Sequence, residues 1–440
     1  MSIRTHHQLH CRSFILIGSV LCSPLLANEL NIISPHSPEI RKEFTIGFAH
    51  WYQQKTGDPI TLHWLDVGGT GEAINYIKSR NSGKNPAGGV DVFFGGGDLP
   101  FIKLSAAGLL AKHALPDSLI RRIPHFVNGI KVYPGDSLWY GAALSGFGII
   151  FNKEVARRNG LPLPATWEDL AKPEYAGWVA SGDPRYSGSI HVMYEIILQA
   201  YGWEKGWDII LRMGANVPTF TKSASAAAKD VSLGQAAFGM VIDFYAFIEI
   251  ERYGKQRLGF LMPPAKTVIN PDGIAILSNA ANPKAASDFV NYVLGEGQKL
   301  WVLRRGVPGG PQRAALCRFP VDSTLYALDA SMLAVVSNPY TTVSPFVYDG
   351  AKTGRRWDLV GDLIAAQVIA PHQYLRNCWR NATRRKLTAD QYSRFFRIGV
   401  SEEQAFSLAQ SWNKREFAEQ RIKIMNQWTT QAIQRYRNGS

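Results

Sequence analysis

Cysteine is scarce. Four occur in 440 residues, and two of them, Cys11 and Cys22, lie within the first 27. Cys317 and Cys378 remain, too few and too far apart for a zinc motif. An exported chain permits a disulfide between them, and two free thiols fit equally well. The common enzyme signatures are missing too. There is no P-loop, no Gly-x-Ser-x-Gly elbow and no His-Glu-x-x-His, and Gly141-Ala142-Ala143 is not a dinucleotide fingerprint. No pair of carboxylates stands apart as an acid–base couple. The expectation is a protein that is not an enzyme and carries no cofactor. After residue 27 no segment is apolar for long enough to cross a bilayer. Gly/Ser linkers and internal repeats are also absent, which argues against tethered modules and solenoids.

What is present begins with an export signal. Arg4 and Arg12 flank a polar start, Phe14 to Leu26 is apolar, and Ala27 offers a small residue for cleavage. Leu21 before Cys22 is too large for a lipoprotein signal, so a soluble product beginning near Asn28 is expected. The length predicts two or three domains. Formal net charge is +13. Removing Arg4 and Arg12 leaves +11, and residues 341–440 hold 16 Lys and Arg against 8 Asp and Glu. That basic tail reads as a solvated helical face, or as a surface for a membrane or an acidic partner.

The chain then alternates strand, loop and helix. Leu30–Ile33 reads as a strand. Ser37 and Pro38 open a helix with Ile40, Phe44, Phe48, Trp51 and Tyr52 inward. Ile60–Trp64 and Val90–Phe94 are further strands, followed by Gly68–Glu72 and by Gly95-Gly96-Gly97-Asp98, each opening a helix. This order predicts a parallel α/β sheet, whose ligand crevice lies at the carboxyl ends of the strands. Leu144–Phe151 reads as a crossing into a second lobe. There Trp178–Ser181, Val217–Phe220 and Ala237–Ile242 are strands, and Ile274–Leu277 returns to the first lobe. From about Leu325 helical periodicity takes over, with Trp357, Val360, Leu363, Ile364 and Val368 on one stripe. Ala405, Leu408, Trp412, Phe417 and Ile422 mark later helices.

Six strand-to-helix loops are the candidate site. The first lobe supplies Ser34 and His36, then Gly69, Thr70 and Gly71, then Gly96. The second supplies Tyr186, Ser187, Gly188 and Ser189, then Ser223 and Ser225, then Asp243 and Tyr245. Small, hydroxylated residues at helix N-termini leave backbone N–H groups free for an anion. Each loop has a plainer reading: a Ser cap, a solvated His36, or Asp243 as a helix cap beside a core Tyr245. Asp243 and Tyr245 also suit a hard cation such as ferric ion. A helix N-terminus gives an anion about 0.3–1 kcal/mol and a charged hydrogen bond about 1.5–3 kcal/mol. Micromolar binding needs roughly 8 kcal/mol, so several loops must act together.

Several segments, in order, resemble the periplasmic solute-binding proteins of ABC importers, in the branch around ferric-ion binding proteins. They are Gly69-Thr70-Gly71-Glu72, Asp91–Gly96, Gly148–Lys153, Asp183-Pro184 with Ser187-Gly188, Phe220–Ser223, Gly234–Ala237, Asn270–Ala275 and Asn282–Ala286. The resemblance covers roughly residues 28–311. It implies a two-lobed periplasmic binding protein type II fold, here with a C-terminal helical extension. The expected division is a signal at 1–27, a first lobe of 28–151 and 263–320, a second lobe of 152–262, and an extension of 321–440. It further implies a periplasmic monomer that closes by hinge motion on a small solute and docks on an inner-membrane ABC permease, with no role for nucleic acid. Ferric members carry adjacent tyrosines near Phe244-Tyr245, and here the first is Phe. The hydroxyl-rich loops suit a phosphonate or sugar phosphate. A ligand sensor feeding a membrane kinase, or an exported enzyme on the same scaffold, are the alternatives.

Overall fold

The computed structural model describes residues 28–67, 70–81, 89–341, 346–385, 388, 392 and 394–439. The expected export signal at 1–27 lies outside them. The first lobe opens with β1 (Asn28–Ile33), α1 (Pro38–Thr56), β2 (Ile60–Leu65), α2 (Thr70–Asn81), β3 (Val92–Phe94) and α3 (Leu99–Ala106). A long strand follows, β4 (Tyr140–Asn152). The second lobe holds β5 (Val179–Gly182), α4 (Gly188–Tyr201), α5 (Trp203–Asn216), β6 (Phe220–Thr221), α6 (Ala224–Ser232), β7 (Phe238–Ile242), α7 (Asp243–Tyr253) and β8 (Leu258–Leu261). The chain returns through β9 (Ile269–Ile276) and α8 (Pro283–Leu294), and ends in α9 (Gly350–Ile364), α10 (His372–Arg385), α11 (Glu402–Ala409) and α12 (Ala418–Asn438).

One curled sheet runs through both lobes in the order β2-β1-β3-β9-β4-β7-β5-β6. β1 is parallel to β2 and β3, as the strand–loop–helix order predicts. β4 belongs to both halves. Tyr140 to Gly146 pairs antiparallel with β9, and Phe147 to Phe151 pairs antiparallel with β7. It starts four residues before the expected strand because Tyr140 to Ala143 continue the pairing with β9, through a bulge at Ala142. A Cβ on Gly141 would come within 2.8 Å of Pro271.

Local signals behave unevenly. Ser187 caps α4 by accepting from the Ile190 N–H, and Gly202 ends it at φ 81°. α8 runs as its periodicity predicts, with Ala286, Phe289, Val290 and Val293 buried. Ser37 and Asp98 hold the N-cap positions of α1 and α3, yet neither side chain makes the capping bond to an amide further into its helix. Thr166 and Asp169 bond reciprocally at a short 3-10 turn, Glu168–Ala171. Ile422 does not belong to the inward stripe of α12; it is 60% exposed, and Trp428, Ala432 and Tyr436 point inward instead.

Two large apolar clusters fill the molecule. One lies in the first lobe around Phe44, Phe48, Phe94, Phe289 and Trp301. The other is continuous from the second lobe into the C-terminal helices: Ile197, Ile210 and Met213 share it with Val360, Leu363, Val368, Trp379, Trp412 and Tyr436. Cys317 and Cys378 are buried, free thiols in different clusters, so the disulfide reading is corrected. Burial pushes them up to about 12 and about 11 respectively. α9 joins α10 through a π-turn, Ala365–Ile369, where the Gln367 carbonyl is free to accept from Tyr436 Oη at 2.7 Å. Among the described residues, no helix is long and apolar enough to cross a membrane.

Candidate functional site

Strand register fixes where the six loops lie. In the first lobe β3 runs antiparallel to β9, with Phe94 opposite Ile274. Continuing past Phe94 leads along β9 toward Ile269, which faces Gly146. In the second lobe the carboxyl end of β7, Ile242, faces Phe147. β5 is parallel to β7 and to β6. The carboxyl edges of both half-sheets therefore point at one another across Gly146-Phe147. All six loops leave those edges. Glu39 in the first turn of α1 registers the same juxtaposition. Its carboxyl is held down by the Ser37 hydroxyl, with Lys229 and Arg252 of the second lobe adding to the effect.

Around the crossing point lies a buried polar cluster. Arg318 is 2% exposed. Its Nη1 donates to Asp272 Oδ2 at 2.6 Å and its Nη2 to Ser145 Oγ at 2.7 Å. His36 Nε2 is 2.9 Å from the same Asp272 oxygen and 3.1 Å from Arg318 Nη1. The other Asp272 oxygen accepts from Gly97 N–H at 2.7 Å. Burial alone would raise the Asp272 carboxyl, but Arg318 and His36 hold it well below the usual range. His36 is not a solvated loop residue, and burial lowers its pKa although Asp272 opposes this. Gly95, Gly96 and Gly97 all have φ near +80 to +100°, and a Cβ on Gly95 would lie 2.6 Å from His36 Nε2. Only glycine lets the loop close over that ring.

The second lobe meets this cluster through α7. Asp243 Oδ2 accepts from Gly146 N–H and Oδ1 from Phe244 N–H, each at 2.7 Å. It is therefore not a conventional cap of its helix. Burial pushes its carboxyl up to about 7, against those N–H groups and Arg318. The Arg318 guanidinium lies over the Phe244 ring at 4.5 Å and the Trp301 ring at 5.1 Å. Phe244 and Tyr245 pack at 4.2 Å, and burial raises the Tyr245 hydroxyl, which feels Arg318 and Asp272.

The remaining second-lobe loops form a separate group. Ser187 Oγ is 3.3 Å from Ser189 Oγ, and Ser223 Oγ is 3.1 Å from Ser225 Oγ. Each first serine caps its helix. The loops are tied by Asp183 N–H donating to the Thr221 carbonyl at 2.8 Å. Tyr186 is 61% exposed, with Lys222 Nζ 5.5 Å from its ring centre. Among the described residues no hydrogen bond or ion pair joins this group to the Arg318 cluster. Thr70 stands against Gly96, where an added Cβ would approach it to 3.0 Å. Ser34 is buried and accepts from His36 N–H at 3.1 Å. A Cβ on Gly71 or Gly188 would meet nothing within 4 Å, so both stand beside open space. Gly69 lies outside the described residues.

The C-terminal extension reaches the same edges. Trp357 of α9 stacks on His191 at 3.8 Å. A Cβ on Gly361 would touch Arg185, and one on Gly354 would come within 3.0 Å of Leu99 in the first lobe. α9 thus contacts both lobes beside the Ser187 loop. Sequence reasoning missed Arg318 and Asp272 as members of the cluster. Asp272 carried only a segment resemblance, and Arg318 carried no local signal at all.

The pattern described as bacterial extracellular solute-binding protein matches residues 90–330. The phosphoglycerate transport regulatory protein PgtC of Salmonella typhimurium is 32% identical over 159 residues, which is 36% of this chain and 39% of that protein. The chain thus spans about two-fifths of that relative's length. The periplasmic binding protein AfuA of Actinobacillus pleuropneumoniae, with exogenous fructose-6-phosphate bound, matches at TM-score 0.61 and 20% identity, over 78% of this chain and 99% of its own. The apo ferric ion-binding protein A of Pasteurella haemolytica matches at 0.59 and 18%, over 77% and 97%. These likenesses show the fold, a two-lobed type II periplasmic binding protein carrying additional C-terminal helices. With more than half of its residues inside the matching pattern, the chain belongs to the bacterial extracellular solute-binding protein family.

Proposed function

We propose that this protein is exported to the periplasm, captures a small phosphorylated anion between its lobes by hinge closure, and presents it to an ABC permease. The observation carrying the reading is the facing of the two carboxyl edges across Gly146-Phe147. Six loops rich in hydroxyls, glycines and helix N-termini leave those edges, the arrangement an oxyanion needs. Ser34, His36, Gly69, Thr70, Gly71 and Gly96 would hold the solute from one side. Tyr186, Ser187, Gly188, Ser189, Ser223, Ser225, Asp243 and Tyr245 would hold it from the other. Arg318 adds a buried positive charge at the base, and its Nε and His36 Nδ1 have no partner among the described residues. A ferric ligand is the weaker choice. Both oxygens of Asp243 already accept backbone N–H groups, and Phe244 stands where a second phenolate is wanted. Phosphorylated compounds also appear in the names of two relatives.

The name of PgtC, a transport regulatory protein, favours a second reading in which the occupied form signals to a membrane sensor. Both readings need capture first. Calorimetry on the mature chain with phosphoglycerates, sugar phosphates, phosphonates and ferric citrate tests that step. The expected result is binding of a phosphorylated compound, recovered unchanged, with a smaller radius of gyration by X-ray scattering. Replacing Thr70→Val or Ser187→Ala should each weaken it about tenfold, near the ~1.5–3 kcal/mol of a charged hydrogen bond. Failure of every phosphorylated compound to bind sinks the proposal; a coloured ferric complex lost in Tyr245→Phe would replace it.

A further inference from the structure

The C-terminal helices hold a feature that capture between the lobes does not use. α10 buries Leu375, Cys378, Trp379 and Ala382 between the second lobe and α12. Beside that face stand Arg376, Arg380 and Arg384, spaced four apart. Such spacing sets them in a row about 12 Å long, at 1.5 Å of rise per residue. The three arginines line a cavity of about 320 Å³ together with Trp379 and Thr383. Its other wall is Pro173, Ala176, Gly177 and Ala215 of the second lobe.

The row is not explained by the fold. Like charges at i,i+4 work against a helix. Arg384 and Arg385 in the last turn complement the helix dipole, but Arg376 and Arg380 are too far from the end. Among the described residues, none of the three guanidinium groups has a hydrogen bond or ion pair. Arg212 nearby is different, since it pairs with Asp208 and lies over the Trp379 ring at 6.0 Å. The indole N–H of Trp379 is spent on Asn216 Oδ1 at 2.8 Å. The cavity therefore offers guanidinium forks on one wall and apolar surface on the other.

We propose that this cavity is a second anion site for a small soluble compound carrying two phosphate groups, or a phosphate and a carboxylate. Guanidinium forks match phosphate oxygens in pairs. A row of three calls for more than one anionic group. The volume suits a small molecule entering a seam between helix and lobe. The site is separate from the interlobe loops and does not depend on them.

The test is calorimetry with pyrophosphate on the full mature chain, repeated in Arg376→Gln/Arg380→Gln. The expected result is a pyrophosphate site whose affinity falls as salt rises, which persists when the interlobe loops are weakened in Thr70→Val/Ser187→Ala, and which loses at least tenfold in affinity in the arginine variant. Thr70→Val/Ser187→Ala weakens only pyrophosphate held between the lobes and should leave the affinity of the α10 cavity as it is. Should the glutamine pair melt early, Arg376→Lys/Arg380→Lys keeps the charge and removes the forks, and must also weaken binding. No pyrophosphate binding, the parent's affinity retained in both arginine variants, or complete loss of binding in Thr70→Val/Ser187→Ala would each overturn the proposal. So would sedimentation with phosphatidylglycerol vesicles through these arginines without soluble binding, or capture of an acidic peptide in place of pyrophosphate.

Discussion

His191 shows how burial governs charge in this protein. It is 1% exposed, stacked on Trp357, and its ring nitrogens make no well-formed hydrogen bond among the described residues. Burial lowers its pKa from 6.5 to about 3. The unfolded chain takes up a proton below pH 6.5, whereas the folded chain resists until about 3. Stability from this residue is full above pH 6.5 and drains as the pH falls toward 3, by up to roughly 4–5 kcal/mol. His191→Phe keeps a flat ring on Trp357 and removes the titration. Its denaturation midpoint is expected to fall less than that of the parent between pH 6.5 and 4. Parallel acid profiles for the two proteins would refute this account. The same residue marks a limit of sequence reading, since nothing local distinguishes His191 from any other histidine inside a helix.

At the level of elements, the C-terminal helices are fastened by charge as well as by apolar surface. Arg356 of α9 and Glu195 of α4 are both fully buried. Their hydrogen bonds run at 2.7 and 2.9 Å, and Glu402 of α11 reaches the same guanidinium at 2.5 Å. Arg356→Met leaves Glu195 buried and unpaired, at a cost of about 3–5 kcal/mol. Glu402 keeps Lys352 at 2.7 Å and suffers less. The double variant Glu195→Leu/Arg356→Met should recover most of the loss, because it removes both charges and fills the space. Urea midpoints of the three proteins measure this, and a double variant no more stable than the single would refute it. Individual elements were largely legible in the sequence. α4 and α8 carry their own caps and apolar periodicity, so short-range rules suffice. Ile422 was misplaced because α12 has apolar residues on more than one face, and only its contacts decide which side is buried.

For the molecule as a whole, the extension and the second lobe share one apolar cluster. A chain ending at residue 349 would uncover the faces of α4 and α5 that meet the extension, at His191 against Trp357, Trp203 against Arg356 and Val400, and Gly214 against Val368 and Leu375. Those faces would also lose the buried partners Val360, Leu363 and Trp379. Each such side chain is worth about 1.5–3 kcal/mol when buried, against a typical total of ~5–15 kcal/mol for a domain. The truncated protein is therefore expected to lose cooperative unfolding and to bind a hydrophobic dye. If it melts as sharply as the full chain, the extension is an independent appendage. The sequence by itself determined the alternation of strand and helix, the loops between them and the basic helical end, because those depend on neighbours a few residues apart. Only the tertiary structure brought Arg318 to His36 and Asp272, 282 and 46 residues away along the chain. It also laid α9 against both lobes, and decided that Cys317 and Cys378 stay apart. Such pairings depend on how distant segments share limited buried volume, and no local pattern records that.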